Sequence, residues 1–143
     1  MQEIEKQALV YAVEALDGQT DLDGFPAVLH SIAVGLACKT PEARATGFLH
    51  DVVEDTDRTF EDLRKAGFCS LVGHLTLLTH TKDVPYLEYI TRIGESGDPV
   101  ALEVKLADLR HNLARGRLGG HEKQVSKHSK ALEMLEQKVR PDR

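Results

Sequence analysis

The sequence predicts an all-α fold, a single compact bundle of about eight helices. Apolar residues recur at three- and four-residue spacing along most of the chain, and the sustained two-residue alternation of β-strands is missing from the sequence. Short polar connections containing Gly, Pro or Asp separate these segments, as is typical of helix ends. The 143 residues are 41% hydrophobic and 29% charged, a composition typical of one folded domain.

The first two predicted helices follow from their apolar faces and from the loop between them. Apolar residues at helical spacing over 4–16 predict the first helix, which ends at Asp17–Gly18. After the polar loop 18–25, Pro26 suits the first turn of a second helix. The predicted inward face of this second helix contains Leu29, Ile32, Ala33 and Leu36.

Local start signals define the later helices. Thr40 is a predicted N-cap with Pro41 at the first helical position, and this third helix is expected to end near Asp55. Thr59 and Asp62 form a capping box that opens a short helix. The other predicted helices run through 71–78, start at 83–85, start at 98–99, and follow the apolar series 125–139.

The domain prediction places residues 1–143 in one domain. Its core is expected to cover about residues 5–118, followed by a helical tail at about 121–140. The tail is polar at most positions, so we expect it either to pack peripherally or to fray.

Charge and composition exclude several classes of partner. The net charge of −5 argues against a nucleic acid polymer or an anionic membrane as partner. The sequence contains no apolar run near the roughly 20 residues that a membrane span needs, and its N-terminus does not resemble a signal peptide. Cys38 and Cys69 are interpreted as buried thiols, so the sequence predicts a cytoplasmic protein and leaves homo-oligomerisation open.

A cluster of one histidine and three acids lies at the predicted end of the third helix. His50, Asp51, Glu54 and Asp55 share one sector of a helix terminus, because a helix turns about 100° per residue. The carboxylates repel one another, and a helix C-terminus disfavours negative charge further. A divalent cation would relieve this repulsion. The alternative is a solvated acidic helix end.

Two further polar residues with apolar neighbours are candidate ligands from other helices. His30 follows Leu29 in the sequence, and taken alone it is better explained as an interior histidine with satisfied hydrogen bonds. Asp108 lies between Leu106 and Leu109, and burial of this acid is costly unless it is paired or bound to a metal. A salt bridge from Asp108 to a cation such as Lys105 explains it equally well.

These residues together resemble a known family. His30, the string GFLHDVVEDT (47–56) and the string VKLADLRHN (104–112) resemble the HD-domain metal-dependent phosphohydrolases. Within them the chain is most similar to the hydrolase domain of the RelA/SpoT enzymes of (p)ppGpp, including the small alarmone hydrolases. The resemblance covers about residues 5–118 and implies an HD-domain helical bundle.

The resemblance also implies a reaction and a set of site residues. The expected reaction is metal-dependent removal of pyrophosphate from the 3′ position of (p)ppGpp, so the expected partner is a small nucleotide substrate. The implied metal is Mn²⁺, and Glu54 and Asp55 are implied to position or deprotonate the attacking water. Asn112 is implied to face the nucleotide, and Lys105 is a candidate phosphate contact. The implied metal ligands are His30, His50, Asp51 and Asp108.

Two positions depart from the family's pattern in the loop before His30. Asp21 stands where a basic residue normally packs on the guanine base, and Ala27 replaces the usual aromatic residue. An HD phosphohydrolase acting on another nucleotide or phosphoester is therefore an alternative function. A non-enzymatic domain that keeps the metal is a third, although Glu54 and Asp55 would have no use there.

Overall fold

The computed structural model describes residues 1–139, and helices account for all of their regular structure except one isolated bridge between Thr20 and Pro26. The all-α prediction is confirmed. None of the described helices is long and apolar enough to cross a membrane. The helices are α1 (Glu3–Ala15), α2 (Val28–Ala37), α3 (Pro41–Leu49), α4 (Val52–Asp55), α5 (Phe60–Lys65), α6 (Val72–Leu78), α7 (Tyr86–Glu95), α8 (Pro99–Gly119) and α9 (Glu122–Lys138), with a 3₁₀ turn at Cys69–Leu71.

The capping signals lie where the sequence predicts them. The side chains of Thr40, Thr59 and Asp98 each accept a hydrogen bond from a backbone N–H in the first turn of α3, α5 and α8. Asp62 returns the bond to the backbone N–H of Thr59, which completes the predicted capping box. These short-range bonds satisfy N–H groups that a helix start leaves free, so they fix the helix starts without tertiary contacts.

The single helix predicted over 41–55 is wrong, because the chain breaks at His50 and Asp51 into α3 and the one-turn α4. The backbone N–H of His50 bonds to the carbonyl of Gly47, three residues back, which tightens the end of α3. Asp51 then leaves ideal helical geometry, with φ −98° and ψ −3°. The break therefore separates the histidine from the acids of α4.

The predicted inward face of α2 is also wrong. Leu29 and Leu36 are 51% and 61% exposed, whereas His30 and Val34 are buried. The helix turns this way because His30 bonds to Asp108 on α8 and because Gly35 packs against α3. The stabilisation from a polar contact and a close helix crossing thus exceeds the free-energy cost of leaving two leucines exposed.

The long helix α8 occupies the centre of the bundle, between the surfaces of α2, α3, α7 and α9. The tail predicted over about 121–140 corresponds to α9, and residue 140 lies outside the described residues. Ala131 and Leu135 of α9 are buried against α7 and α8, so this helix is part of the core and not peripheral. The assignment of residues 1–143 to one domain stays a prediction.

The two cysteines differ in exposure. Cys38 is buried, as predicted, but Cys69 is exposed, so the prediction of two buried thiols is wrong for Cys69. Cys69 begins the 3₁₀ turn that connects α5 to α6, where its sulfur is directed toward the Arg64 carbonyl instead of the core.

We expect the contact between α2 and α3 to tolerate no added methyl group. A Cβ built on Gly47 would lie 2.8 Å from the Cα of Gly35, which is backbone and cannot rotate away. Gly47→Ala should therefore lower the free energy of unfolding by about 1–3 kcal/mol, measured by urea denaturation. Gly73→Ala is the matched control, since nothing lies within 4 Å of its Cβ, and it should stabilise by up to about 1 kcal/mol. Equal stability of the two variants would contradict this expectation.

Candidate functional site

One cavity of about 500 Å³ contains the residues that the sequence singled out. It lies where α2, the α3–α4 junction and α8 meet, with α6, α7, α9 and the loop before α2 completing its wall. The structure therefore brings together side chains that are up to 82 residues apart in sequence. The predicted site residues that line this cavity are His30, His50, Asp51, Glu54, Asp55, Lys105, Asp108 and Asn112.

Two histidines and one aspartate form a cluster compatible with a divalent metal ion. One side-chain donor atom from each of His30, His50 and Asp51 lies within 4.8 Å of the other two. The Oδ2 atom of Asp51 is 3.3 Å from the Nε2 atom of His50 and 4.0 Å from that of His30. A mixed set of imidazole nitrogens and carboxylate oxygens suits first-row divalent metals.

His50 presents a free ring nitrogen to this cluster. Its Nδ1 atom donates a hydrogen bond to the Gly47 carbonyl at 2.7 Å, which orients the ring. Its Nε2 atom is buried and has no hydrogen-bond partner among residues 1–139. Burial lowers the pKa of His50, but the carboxylates of Asp51 and Asp108 outweigh it and raise this pKa to about 9. The site therefore favours a positive charge at this nitrogen, which a divalent cation would also supply.

Asp108 is the buried centre of a hydrogen-bond network on α8. Its Oδ1 atom is 2.7 Å from the Nε2 atom of His30 and 3.3 Å from that of His50. Its Oδ2 atom accepts a hydrogen bond from the ammonium group of Lys105, also at 2.7 Å. Burial alone would raise the pKa of Asp108, but the Lys105 charge holds it well below its usual value. The salt bridge considered from the sequence is therefore present together with the histidine contacts.

The acidic pair on α4 lies at the more exposed side of the cluster. The carboxylate of Glu54 accepts a hydrogen bond from the backbone N–H of His80 at 2.8 Å. Partial desolvation in the cavity and the neighbouring charge of Asp51 raise the pKa of both acids, that of Asp55 to about 6. A carboxylate with a pKa near neutrality is suited to accept a proton from water.

His111 is a site residue that the sequence analysis missed. Its Nδ1 atom lies 2.7 Å from the Nδ1 atom of His30, and the two rings stack with centroids 4.9 Å apart. The contact orients His30 from the side opposite Asp108. His111 follows Asp108 by three residues on one helix, so this spacing could have indicated it.

A wall of aromatic and basic side chains was also missed. His80 stacks on Tyr89 with ring centroids 4.8 Å apart, and the ammonium of Lys127 lies 4.2 Å from the centroid of Tyr86. Burial lowers the pKa of His128, which lines the same wall, to about 4. The sequence carried no local signal for the α9 residues, because only the packing of α9 on α8 brings them to the cavity.

A comparison with solved structures identifies a protein with the same fold. A solved structure of a metazoan ortholog of SpoT that hydrolyzes ppGpp superposes with a TM-score of 0.74 at 24% sequence identity, and it covers 99% of this chain and 94% of that one. This chain has the fold of the SpoT-type hydrolase. This likeness confirms the predicted helical fold, and the sequence relatives described next confirm the predicted similarity to the RelA/SpoT hydrolase domain.

The sequence relatives include a GTP pyrophosphokinase and a 3′-pyrophosphohydrolase. A GTP pyrophosphokinase of Streptomyces coelicolor is 33% identical over 128 residues, which are 82% of this chain and 15% of that protein. A guanosine-3′,5′-bis(diphosphate) 3′-pyrophosphohydrolase of Vibrio cholerae is 39% identical over 74 residues, 49% of this chain and 10% of that protein. The chain thus spans less than a sixth of the length of these relatives. No family model matches the chain.

We expect the Lys105–Asp108 pair to stabilise the fold. Lys105→Met would leave a buried carboxylate without its counterion, so the free energy of unfolding should fall by about 3 kcal/mol in urea denaturation. Arg92→Met is the matched control, because it breaks an exposed pair with Glu88, and it should change stability by less than about 1 kcal/mol. Similar losses in the free energy of unfolding for the two variants would show that the buried pair stabilises the fold no more than the exposed pair does.

Proposed function

We propose that this protein is a metal-dependent hydrolase that removes pyrophosphate from the 3′ position of guanosine alarmones. The observation that carries the proposal is the buried Nε2 atom of His50, which makes no hydrogen bond with residues 1–139 but lies 3.3 Å from carboxylate oxygens of Asp51 and Asp108, beside the acids of α4. A structural site for a metal would not need the two additional carboxylates. The metazoan SpoT ortholog, which has the same fold, hydrolyzes ppGpp.

We assign four side chains to the metal, and Mn²⁺ is the proposed ion. Two imidazoles and two carboxylates suit Mn²⁺, which accepts nitrogen and oxygen ligands and retains positions for water. A divalent cation bound here would polarise a phosphoryl group and lower the pKa of a water molecule. The proposed ligands are His30, His50, Asp51 and Asp108.

The proposed roles of the remaining residues follow from their positions. Glu54 and Asp55 orient the attacking water, and one of them accepts its proton as the new phosphorus–oxygen bond forms. The bond from phosphorus to the 3′ oxygen breaks, so ppGpp and water give GDP and pyrophosphate. Asn112 and Lys105 line the same cavity and are the proposed substrate contacts. Lys105 also neutralises the charge of Asp108, so we assign it a structural role in addition to substrate binding.

A second candidate function is hydrolysis of another nucleotide or phosphoester. The observation that favours it is Asp21, whose carboxylate lines the cavity where the family normally has a basic residue. A small-molecule nucleotide remains the proposed partner in both cases, and a cytoplasmic location suits such a substrate. The predicted absence of a nucleic acid polymer as partner and the question of homo-oligomerisation stay at the level of prediction.

A substrate panel tests the reaction. The purified protein with Mn²⁺ should release pyrophosphate from ppGpp and pppGpp, but should not release phosphate from GDP or GTP. Chelation with EDTA should abolish turnover, and added Mn²⁺ should restore it. Phosphate release from simple nucleotides without pyrophosphate release from ppGpp would support the second candidate function instead.

Two substitutions separate metal binding from proton transfer. Asp51→Ala should abolish both Mn²⁺ binding, measured by calorimetry, and turnover, because it removes a proposed ligand. Glu54→Ala should preserve Mn²⁺ binding and reduce turnover by about 10²–10⁴-fold, the range expected for a lost general base. Full activity of either variant would overturn the proposed roles.

A further inference from the structure

Arg115 on α8 is a fixed guanidinium group in the wall of the cavity. Its Nε and Nη2 atoms donate to the Oδ1 atom of Asn112 at 3.0 and 2.6 Å, and its Nη1 atom lies 3.5 Å from the Oδ2 atom of Asp21. A guanidinium carries five N–H groups, and these contacts use three of them. Two N–H groups therefore remain. The side chain is 34% exposed, so a ligand in the cavity can reach it.

Asp21 is itself held in place by the loop before α2. Its Oδ1 atom accepts hydrogen bonds from the backbone N–H groups of Asp23 and Phe25, at 2.9 and 3.0 Å. These two bonds leave the Oδ2 atom directed to Arg115. The guanidinium is thus positioned from both sides, by the loop and by α8.

Two cations of the cavity wall, Arg115 and Lys127, have different electrostatic surroundings. Asp21 balances the charge of Arg115, so this pair is matched to an uncharged part of a ligand. Lys127 lies over the Tyr86 ring, and no carboxylate of residues 1–139 is within 4 Å of its ammonium group. Lys127 therefore suits a phosphate, and Arg115 suits a polar group without charge.

The position of Arg115 along α8 indicates which part of a nucleotide it meets. Asp108, Asn112 and Arg115 are four and three residues apart, so they follow one face of the helix. Seven residues of helix span about 10 Å. A nucleotide whose phosphorus lies at the histidine cluster could therefore place its base, beyond the ribose, near Arg115.

We propose that Arg115 determines base specificity by donating its two remaining N–H groups to the O6 and N7 atoms of a guanine base. Arginine is the usual partner of this edge, since both atoms accept hydrogen bonds. Adenine presents an amino donor in place of O6, which would face the guanidinium donors. Asp21 and the Oδ1 atom of Asn112 hold the guanidinium in position for this contact. The inference rests on the proposed function only in requiring that the site accept a nucleotide.

Binding of three nucleoside diphosphates tests this role without turnover. Calorimetric titration in Mn²⁺ buffer should show that the protein binds GDP and inosine diphosphate about tenfold or more tightly than ADP, because the first two share O6 and N7. Arg115→Met should reduce the affinity for GDP and inosine diphosphate to that for ADP. Arg117→Met is the control, because Arg117 is exposed on the same helix outside the cavity, and it should keep the preference.

Arg115→Lys separates base recognition from a structural role. Lysine keeps the charge opposite Asp21 but cannot present two parallel N–H groups, so the preference for GDP should also be lost. An equal loss of affinity for all three nucleotides, a preference that survives in Arg115→Met, or no preference in the wild-type protein would each overturn the inference. If the preference depends on Arg115 while ppGpp is not hydrolysed, only the proposed reaction fails.

Discussion

The Asp108 carboxylate connects the parts of this structure that matter for its chemistry. It contacts His30 from α2, His50 from the end of α3 and Lys105 from its own helix, all within 3.3 Å. A buried acid is stable only when such partners surround it. α2, the end of α3 and α8 itself therefore each contribute a group to the surroundings of this one carboxylate. The contacts that hold these helices together therefore also orient the proposed metal ligands.

Helix existence and helix starts could be predicted from the sequence, because their causes are local. Thr40, Thr59 and Asp98 cap helices through bonds to residues two or three positions away, and those bonds need no tertiary partner. The candidate site could be assembled from a resemblance, because His30, the HD pair and Asp108 have a characteristic order. The structure places all eight proposed residues in one cavity.

The errors have tertiary causes. The apolar pattern of α2 predicted burial of Leu29 and Leu36. Instead, the helix is oriented so that His30 makes its hydrogen bond to Asp108, and both leucines are exposed. The break at His50 and Asp51 has no Gly or Pro to signal it. The contribution of Lys127 depends on the packing of α9 against α8, and spacing along the chain does not encode that packing. Positions of α9 that the polar sequence pattern predicts to be exposed therefore line the cavity.

The crossing of α2 and α3 has a consequence for the proposed metal site. Gly35 and Gly47 allow the two backbones to touch, and they lie five residues after His30 and three residues before His50. The interaxial distance at this crossing therefore determines how far apart the two imidazoles are held. In the proposed metal site, the spacing of the two imidazoles would then depend on a backbone contact that involves none of the proposed ligands. A change of metal preference could arise from substitutions that never touch the ion.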